Sequence, residues 1–113
     1  MQESELLSRV CNALSDSGWR VIRMNSGRAR INGTLTSFYT LWGMPLEYRH
    51  AGASDAFAVR MGRVVFIETK TPRGTQRKSQ KAFQTFVESS GTEYRIVRSL
   101  DDIRDLTDGQ RVN

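Results

Sequence analysis

"GASDAFAVRMGRVVFIETK", residues 52–70, is the stretch whose reading decides the fold. "DAFAVR" (55–60) and "RVVFIETK" (63–70) have the apolar, β-branched composition of two strands, with Met61-Gly62 as the turn between them. Side chains alternate across a strand, so Val64, Phe66, Glu68 and Lys70 share one face while Val65, Ile67 and Thr69 share the other. A two-residue turn places Arg60 opposite Arg63, Val59 opposite Val64, Phe57 opposite Phe66 and Asp55 opposite Glu68. A three-residue loop shifts the register by one and separates the two acids onto opposite faces. Met61 is a poor residue for a turn that needs positive φ, so both registers stay open at this stage.

In the first register two carboxylates stand opposite one another, about 4.5–5.5 Å apart at Cβ. Their repulsion becomes binding energy if a divalent cation lies between them, and Mg²⁺ favours one or two carboxylates completed by water and substrate phosphate. Lys70 lies two residues on along the same face, where an ammonium suits positioning a water or stabilising a pentavalent phosphate. The alternative is structural: Asp55 caps a strand, and Glu68 and Lys70 form a solvated pair.

Working outward, residues 3–17 carry Leu6, Leu7, Val10, Cys11 and Leu14 at helical spacing, and Gly18 stands where the helix stops. Cys11 belongs to the apolar side of that helix and is expected in the core. "WRVIRM" (19–24) reads as a strand, "NSGRARING" (25–33) as a loop, and "TLTSFYTLW" (34–42) has strand-forming composition. Beyond the hairpin, 71–76 is a loop and 77–90 an amphipathic helix with Phe83, Phe86 and Val87 inward; Gly91 ends it. Residues 93–99 form a strand, and Ser99 with Asp102 caps a last short helix through Leu106. The order predicts an α/β sandwich: a single domain over 1–106, with 107–113 as a tail.

Of 17 cationic residues 14 are Arg, against 12 acids, for a formal charge of +5. Guanidinium binds phosphate bidentately, so this balance points to a polyanion partner. The single Cys11 excludes a disulfide framework and a cysteine zinc site. No apolar run reaches membrane-spanning length and no signal-peptide pattern is present, so a cytoplasmic setting is expected. Arg73, Arg77, Lys78 and Lys81 cluster after the second strand, and Arg28 and Arg30 form a second basic patch; both are candidate DNA contacts. Gln80 precedes Phe83 by three and Val87 by seven, so it shares their inward face. Glu3 has the same relation to Leu6 and Val10, with Glu5 second because it lies off that stripe. Phe38, Tyr39, Leu41, Trp42 and Tyr48 are expected in core or dimer packing ahead of base stacking, and His50 is assigned no ligand role.

Gly52-Ala53-Ser54-Asp55, Glu68-Thr69-Lys70 and Gln80 together resemble the GxxD…ExK…Q pattern of the VRR-NUC domain, of the PD-(D/E)XK nuclease superfamily. The resemblance extends from Glu3-x-x-Leu6-Leu7 through "GWRVIRMNSG" to "GTEYRIVRSLDD". It implies a restriction-endonuclease-like α/β sandwich, with a central mixed sheet, a catalytic hairpin and flanking helices. It further implies that Asp55 and Glu68 bind Mg²⁺ or Mn²⁺ with the Thr69 main-chain carbonyl. Glu3 would complete the site, Lys70 would be the catalytic lysine and Gln80 the motif glutamine. Ser54 stands where the family often has Pro, and 28–51 is longer and more aromatic than the pattern. Stand-alone members resemble the homodimeric Holliday-junction resolvases of phages and bacteria, which implies structure-selective cutting of branched DNA. The competing readings are a restriction- or repair-type nuclease acting on flap or duplex DNA, and a non-catalytic basic DNA-binding protein.

Overall fold

The computed structural model describes residues 1–24, 28–37 and 39–108; for residues 28, 29 and 35–37 it describes the backbone. The elements run α1 (Glu3–Asp16), β1 (Arg20–Arg23), β2 (Arg28–Ile31), β3 (Thr34–Ser37), β4 (Ala56–Arg60), β5 (Arg63–Thr69), α2 (Lys78–Ser89), β6 (Glu93–Val97) and α3 (Arg104–Thr107). A 3₁₀ turn at Leu46–Tyr48 precedes β4, and another at Leu100–Ile103 leads into α3.

Strands β1, β4, β5 and β6 form one sheet in that order. The β1/β4 and β4/β5 pairs are antiparallel, and β5/β6 is parallel. Parallel neighbours need a crossover, and α2 supplies it. The expected α/β sandwich with a central mixed sheet is therefore present. The hairpin takes the two-residue register, with Arg60 opposite Arg63, Val59 opposite Val64 and Phe57 opposite Phe66. Met61 accepts φ 49° and Gly62 φ 82°, the left-handed pair that a tight hairpin turn demands. Met61 is otherwise exposed, so its strained backbone carries no packing conflict.

The two faces of β5 separate as alternation requires. Val65 and Ile67 pack with Ala58, Trp19, Leu6, Val10 and Leu14 under α1, joined by Ile103 and Leu106 from the C-terminal turn and α3. Trp19 ties these layers by donating its indole N–H to the Leu106 carbonyl (3.0 Å). Phe66 faces the other way, against Phe83, Val87 and Tyr94 beneath α2. Each buried Val, Leu, Ile or Phe contributes about 1.5–3 kcal/mol relative to exposure, so both layers hold the sheet that carries the charged strand end.

Three expectations need correction. Residues 28–31 are not loop: Arg28–Ile31 pairs antiparallel with Thr34–Ser37 as a separate two-stranded ribbon. Its turn is Asn32-Gly33, with φ 52° and 79°, and Asn-Gly between two short strand-compatible runs is the strongest local hairpin signal. Phe86 is half exposed, because it sits a full 100° round the helix from Val87 while Phe83 lies between them. Cys11 is half-buried at the helix flank, and burial pushes its thiol up from the ordinary value. Of the residues expected in core or dimer packing, Tyr39 and Leu41 pack on the α2-side core, and Trp42, 79% exposed, lies outside it. Residues 25–27, Phe38 and 109–113 lie outside the described residues. Among the described residues no helix is long and apolar enough to cross a membrane.

Candidate active site

The charged end of β5 opens on a cleft of about 460 Å³ walled by Glu3, Tyr39, His50, Gly52, Asp55, Thr69, Lys70, Arg77 and Gln80. Antiparallel pairing ends at Ala56 opposite Ile67, so Asp55 is the next step along β4 and comes to the end of β5 beside Glu68. Its Oδ2 accepts hydrogen bonds from the Thr69 N–H (2.7 Å) and the Thr69 hydroxyl (3.0 Å). The Asp55 carbonyl also accepts from the Met24 N–H (2.8 Å), which fixes the last turn of chain before β4 to the end of β1.

Glu68 lies behind the cleft wall at 1% exposure. Its Oε1 accepts a short hydrogen bond from the Tyr94 hydroxyl. Its Oε2 is buried with no hydrogen-bond partner among the described residues, with the Lys70 ammonium 3.8 Å away. Burial pushes the Glu68 carboxyl above the ordinary value of 4.5; the Tyr94 hydrogen bond and the Lys70 charge oppose that, and the Asp55 charge adds to it. Burial and the neighbouring carboxylate together keep the Tyr94 phenol protonated. Gln76 sits beside this pair, its amide favouring the ionised form of both.

Lys70 is buried and donates from Nζ to the Gln80 amide oxygen (3.0 Å). That same oxygen accepts from the Arg77 N–H (2.8 Å), one of the donors that a helix start leaves free. Gln80 is thus both the helix cap of α2 and the clamp on the lysine. The loop between β5 and α2 is held by Arg98, whose Nη1 donates to the Thr71 (2.7 Å) and Gly74 (2.8 Å) carbonyls. Gly52 closes the cleft against α2: at φ 91° with a Cβ added, it would stand 2.3 Å from the Ser79 carbonyl oxygen. Only glycine allows that approach. Ser54, where the resemblance favours Pro, is buried and donates to the Ala56 carbonyl (3.0 Å).

Asp55, Thr69, Lys70, Gln80, Glu3 and Arg77 are thus brought to one cleft, with Glu68 directly behind it. Glu3 is exposed at the first turn of α1, whereas Glu5 points elsewhere and pairs with Arg9 (3.2 Å). Arg73, Lys78 and Lys81 are exposed on the adjoining loop and first turns of α2 and do not line the cleft. Arg30 is exposed on the β2/β3 ribbon, donating to Gly33 O (3.3 Å); the Arg28 side chain lies outside the described residues. Two wall residues, Tyr39 and His50, and Tyr94 behind the wall were given no site role from the sequence. Tyr39 accepts the Ala53 N–H at its hydroxyl (3.2 Å), His50 Nδ1 lies 2.9 Å from the Tyr39 carbonyl, and Tyr94 holds Glu68. Tyr94 comes to Glu68 through the parallel pairing of β5 with β6, which sets it beside Phe66 on the Glu68 face.

Among the described residues no three acidic, histidine or cysteine side chains converge tightly enough to hold a cation unaided. Mg²⁺ asks less than that, commonly one or two carboxylates with water and substrate oxygens. Asp55 with the orphaned Glu68 Oε2 fits that requirement. A groove of about 450 Å³ between α1 and β1 is lined by Cys11, Arg20 and Arg23 among others but by no acid, so it is no cation site.

No protein-family model and no curated protein matches the chain. Among solved structures, one titled "VRR_NUC domain" superposes with a TM-score of 0.65 at 15% identity, covering 94% of each chain. That likeness spans both layers and the hairpin, and it accords with the restriction-endonuclease-like α/β arrangement of the sheet and helices. The chain therefore has the fold of a VRR-NUC domain.

Proposed function

We propose that this protein is a divalent-cation-dependent nuclease that hydrolyses DNA phosphodiester bonds, with branched DNA such as a four-way junction as substrate. The observation that carries the reading is the Glu68 Oε2, a carboxylate oxygen buried without a hydrogen bond beside Asp55 and Lys70. A buried carboxylate oxygen without a hydrogen bond is costly, and a divalent cation beside it would offset that cost more fully than the Lys70 ammonium 3.8 Å away. Asp55, Glu68 and the Thr69 main-chain carbonyl would hold Mg²⁺ or Mn²⁺, with Glu3 at the outer wall completing the site. When bound, the ion supplies an activated water and neutralises charge on the scissile phosphate.

The chain's own residues do the rest. Thr69 fixes Asp55 through its N–H and hydroxyl, leaving the second carboxylate oxygen uncommitted among the hydrogen bonds described. Gln80 holds the Lys70 ammonium at one position, so Lys70 orients the attacking water and stabilises negative charge as the phosphate becomes pentavalent. Arg77 at the wall, with Arg73, Lys78 and Lys81 beside it and Arg28 and Arg30 on the ribbon, tracks the phosphate backbone. A homodimer presenting two such clefts about a two-fold axis suits paired nicks in a four-way junction. The setting is the cytoplasm of a bacterial cell or phage-infected host.

The test is cleavage of a labelled panel (four-way junction, 5′ flap, splayed arm, single strand and duplex) with Mg²⁺, Mn²⁺ or EDTA. Cutting that needs metal, favours the junction and disappears in Glu68→Ala and Lys70→Ala supports the proposal. Binding with no cutting in either metal leaves a DNA-binding protein, and cutting of flap or plain duplex alone replaces the substrate class.

A further inference from the structure

The loop from Leu41 to Arg49 is closed on itself and leaves its most interactive side chain in solvent. Its ends meet through the Leu41 N–H and the Arg49 carbonyl (2.6 Å), and Met44 anchors it by being buried. The Arg49 side chain crosses the loop to donate from Nε to the Met44 carbonyl (3.1 Å). The same guanidinium lies 5.4 Å from the centre of the Trp42 ring. A rigid, braced segment thus displays an indole at 79% exposure, with Leu46 also exposed at 76%. Trp42 follows the cleft residue Tyr39 by three positions, and the loop's other end runs straight into cleft residue His50.

We infer that Trp42 is a stacking platform for an unpaired DNA base beside the cleft. This inference rests on the nuclease reading for the identity of its neighbour, and it names the substrate class as DNA with unpaired nucleotides next to the cut. Base–aromatic stacking suits an exposed indole whatever the base, because every base has a π face. Bracing by Arg49 means that little side-chain freedom is lost on contact. Charge selects the occupant. From residue 17 to residue 46 the chain holds Arg20, Arg23, Arg28 and Arg30 and no acid, and Glu47 is the sole acid of the loop itself. Arg49 makes no ion pair among the described residues. The whole chain carries a formal +5, so a second copy brings like net charge, whereas nucleic acid brings the opposite one.

The two tryptophans make the experiment direct, since Trp19 is buried at 1% exposure and Trp42 is not. The full chain in EDTA is titrated with oligo-dT, a splayed arm and a blunt duplex while tryptophan emission and affinity are followed. Expected are quenching of the solvent-exposed emission by oligo-dT and the splayed arm, and a roughly ten- to hundredfold affinity loss for both in Trp42→Ala. Trp42→Phe should keep most of the affinity, and blunt duplex should bind both variants about as well as wild type. Equal loss on duplex, or no loss on unpaired DNA, overturns the inference. So does exposed emission that shifts to the blue with protein concentration alone, which assigns the indole to a second copy. Trp42-dependent binding of unpaired DNA with no cleavage in Mg²⁺ or Mn²⁺ upholds the stacking platform and sinks the nuclease reading alone.

Discussion

Replacing Glu68 by Gln separates a metal-binding carboxylate from a structural ion-pair partner. Burial is the largest influence on Glu68 and outweighs both Tyr94 and Lys70, so its carboxyl titrates above the ordinary 4.5. The folded chain therefore keeps a proton that the unfolded chain has already lost. Stability from this source is complete below about 4.5 and is lost as pH rises through the folded value. At pH 7.5 in EDTA, Glu68→Gln should accordingly melt at or above wild type, since the neutral amide removes the buried charge and Gln80 still holds Lys70. Divalent cation reverses the order. At ten times its dissociation constant a bound ion stabilises the native state by roughly 1.4 kcal/mol. With an unfolding entropy of about 2.1 cal/mol/K per residue over 113 residues, that corresponds to about 6 °C in wild type and none in the variant. Thermal melts by circular dichroism, with Mn²⁺ and Mg²⁺ titrated against EDTA, read both quantities. A loss of about 3 kcal/mol or more for Glu68→Gln in EDTA would mark a structural ion pair. An equal metal shift in both proteins would place the ion elsewhere.

Gly52→Ala should cost more than about 2 kcal/mol in urea unfolding, because a Cβ at φ 91° would lie 2.3 Å from the Ser79 carbonyl oxygen and must push α2 away. Tyr94→Phe leaves Glu68 Oε1 buried without its donor, at a cost of about 1–3 kcal/mol. That cost should be larger at pH 8 than at pH 5, as unfolding at the two pH values will read, because only the ionised carboxylate misses the donor fully. Arg77→Ala should lower DNA affinity uniformly across sequences and reduce the slope of log affinity against log salt by about 0.9, measured by anisotropy on duplex. An unchanged slope would remove Arg77 from the phosphate track.

Legibility in the sequence followed the reach of each signal. Period-two alternation over 55–70 separated the two faces of β5, and helical spacing put Gln80 on the buried face of α2, because both depend on neighbours within one element. The Asp102 cap was legible for the same reason, its carboxylate accepting the Ser99 N–H (3.3 Å). The hairpin register, left open between two turn lengths, depends on the Met61 backbone. The ribbon was lost because two four-residue strands carry little periodicity, although Asn32-Gly33 marked the turn. Phe86 was misplaced by treating an apolar residue at the stripe's edge as part of it. Tyr94, Tyr39 and His50 reach the site only through chain crossovers, and no local pattern in one sequence announces a residue whose partner is 26 positions away, as Glu68 is from Tyr94.

The charges at the end of β5 are not merely tolerated by a fold with spare stability. Asp55 is satisfied twice by Thr69, the Lys70 ammonium by Gln80, and Glu68 Oε1 by Tyr94. Each of these donors or acceptors comes from a different element, so the sheet, α2 and β6 all converge on three side chains. A hairpin needing only stability would do better with apolar residues there, since replacing a buried ion pair by well-packed hydrophobic side chains is often neutral or stabilising by about 1–4 kcal/mol. Among the described residues the network nevertheless leaves two adjacent polar atoms without a hydrogen bond, Glu68 Oε2 and the Gln76 amide nitrogen. Asp55, Lys70 and Glu68 Oε1 are nonetheless each held by a partner, so the Glu68 carboxylate is positioned from three elements. A buried carboxylate oxygen without a hydrogen bond, held beside a second carboxylate and a clamped lysine behind a cleft walled by both signs of charge, is what the proposed cation would complete.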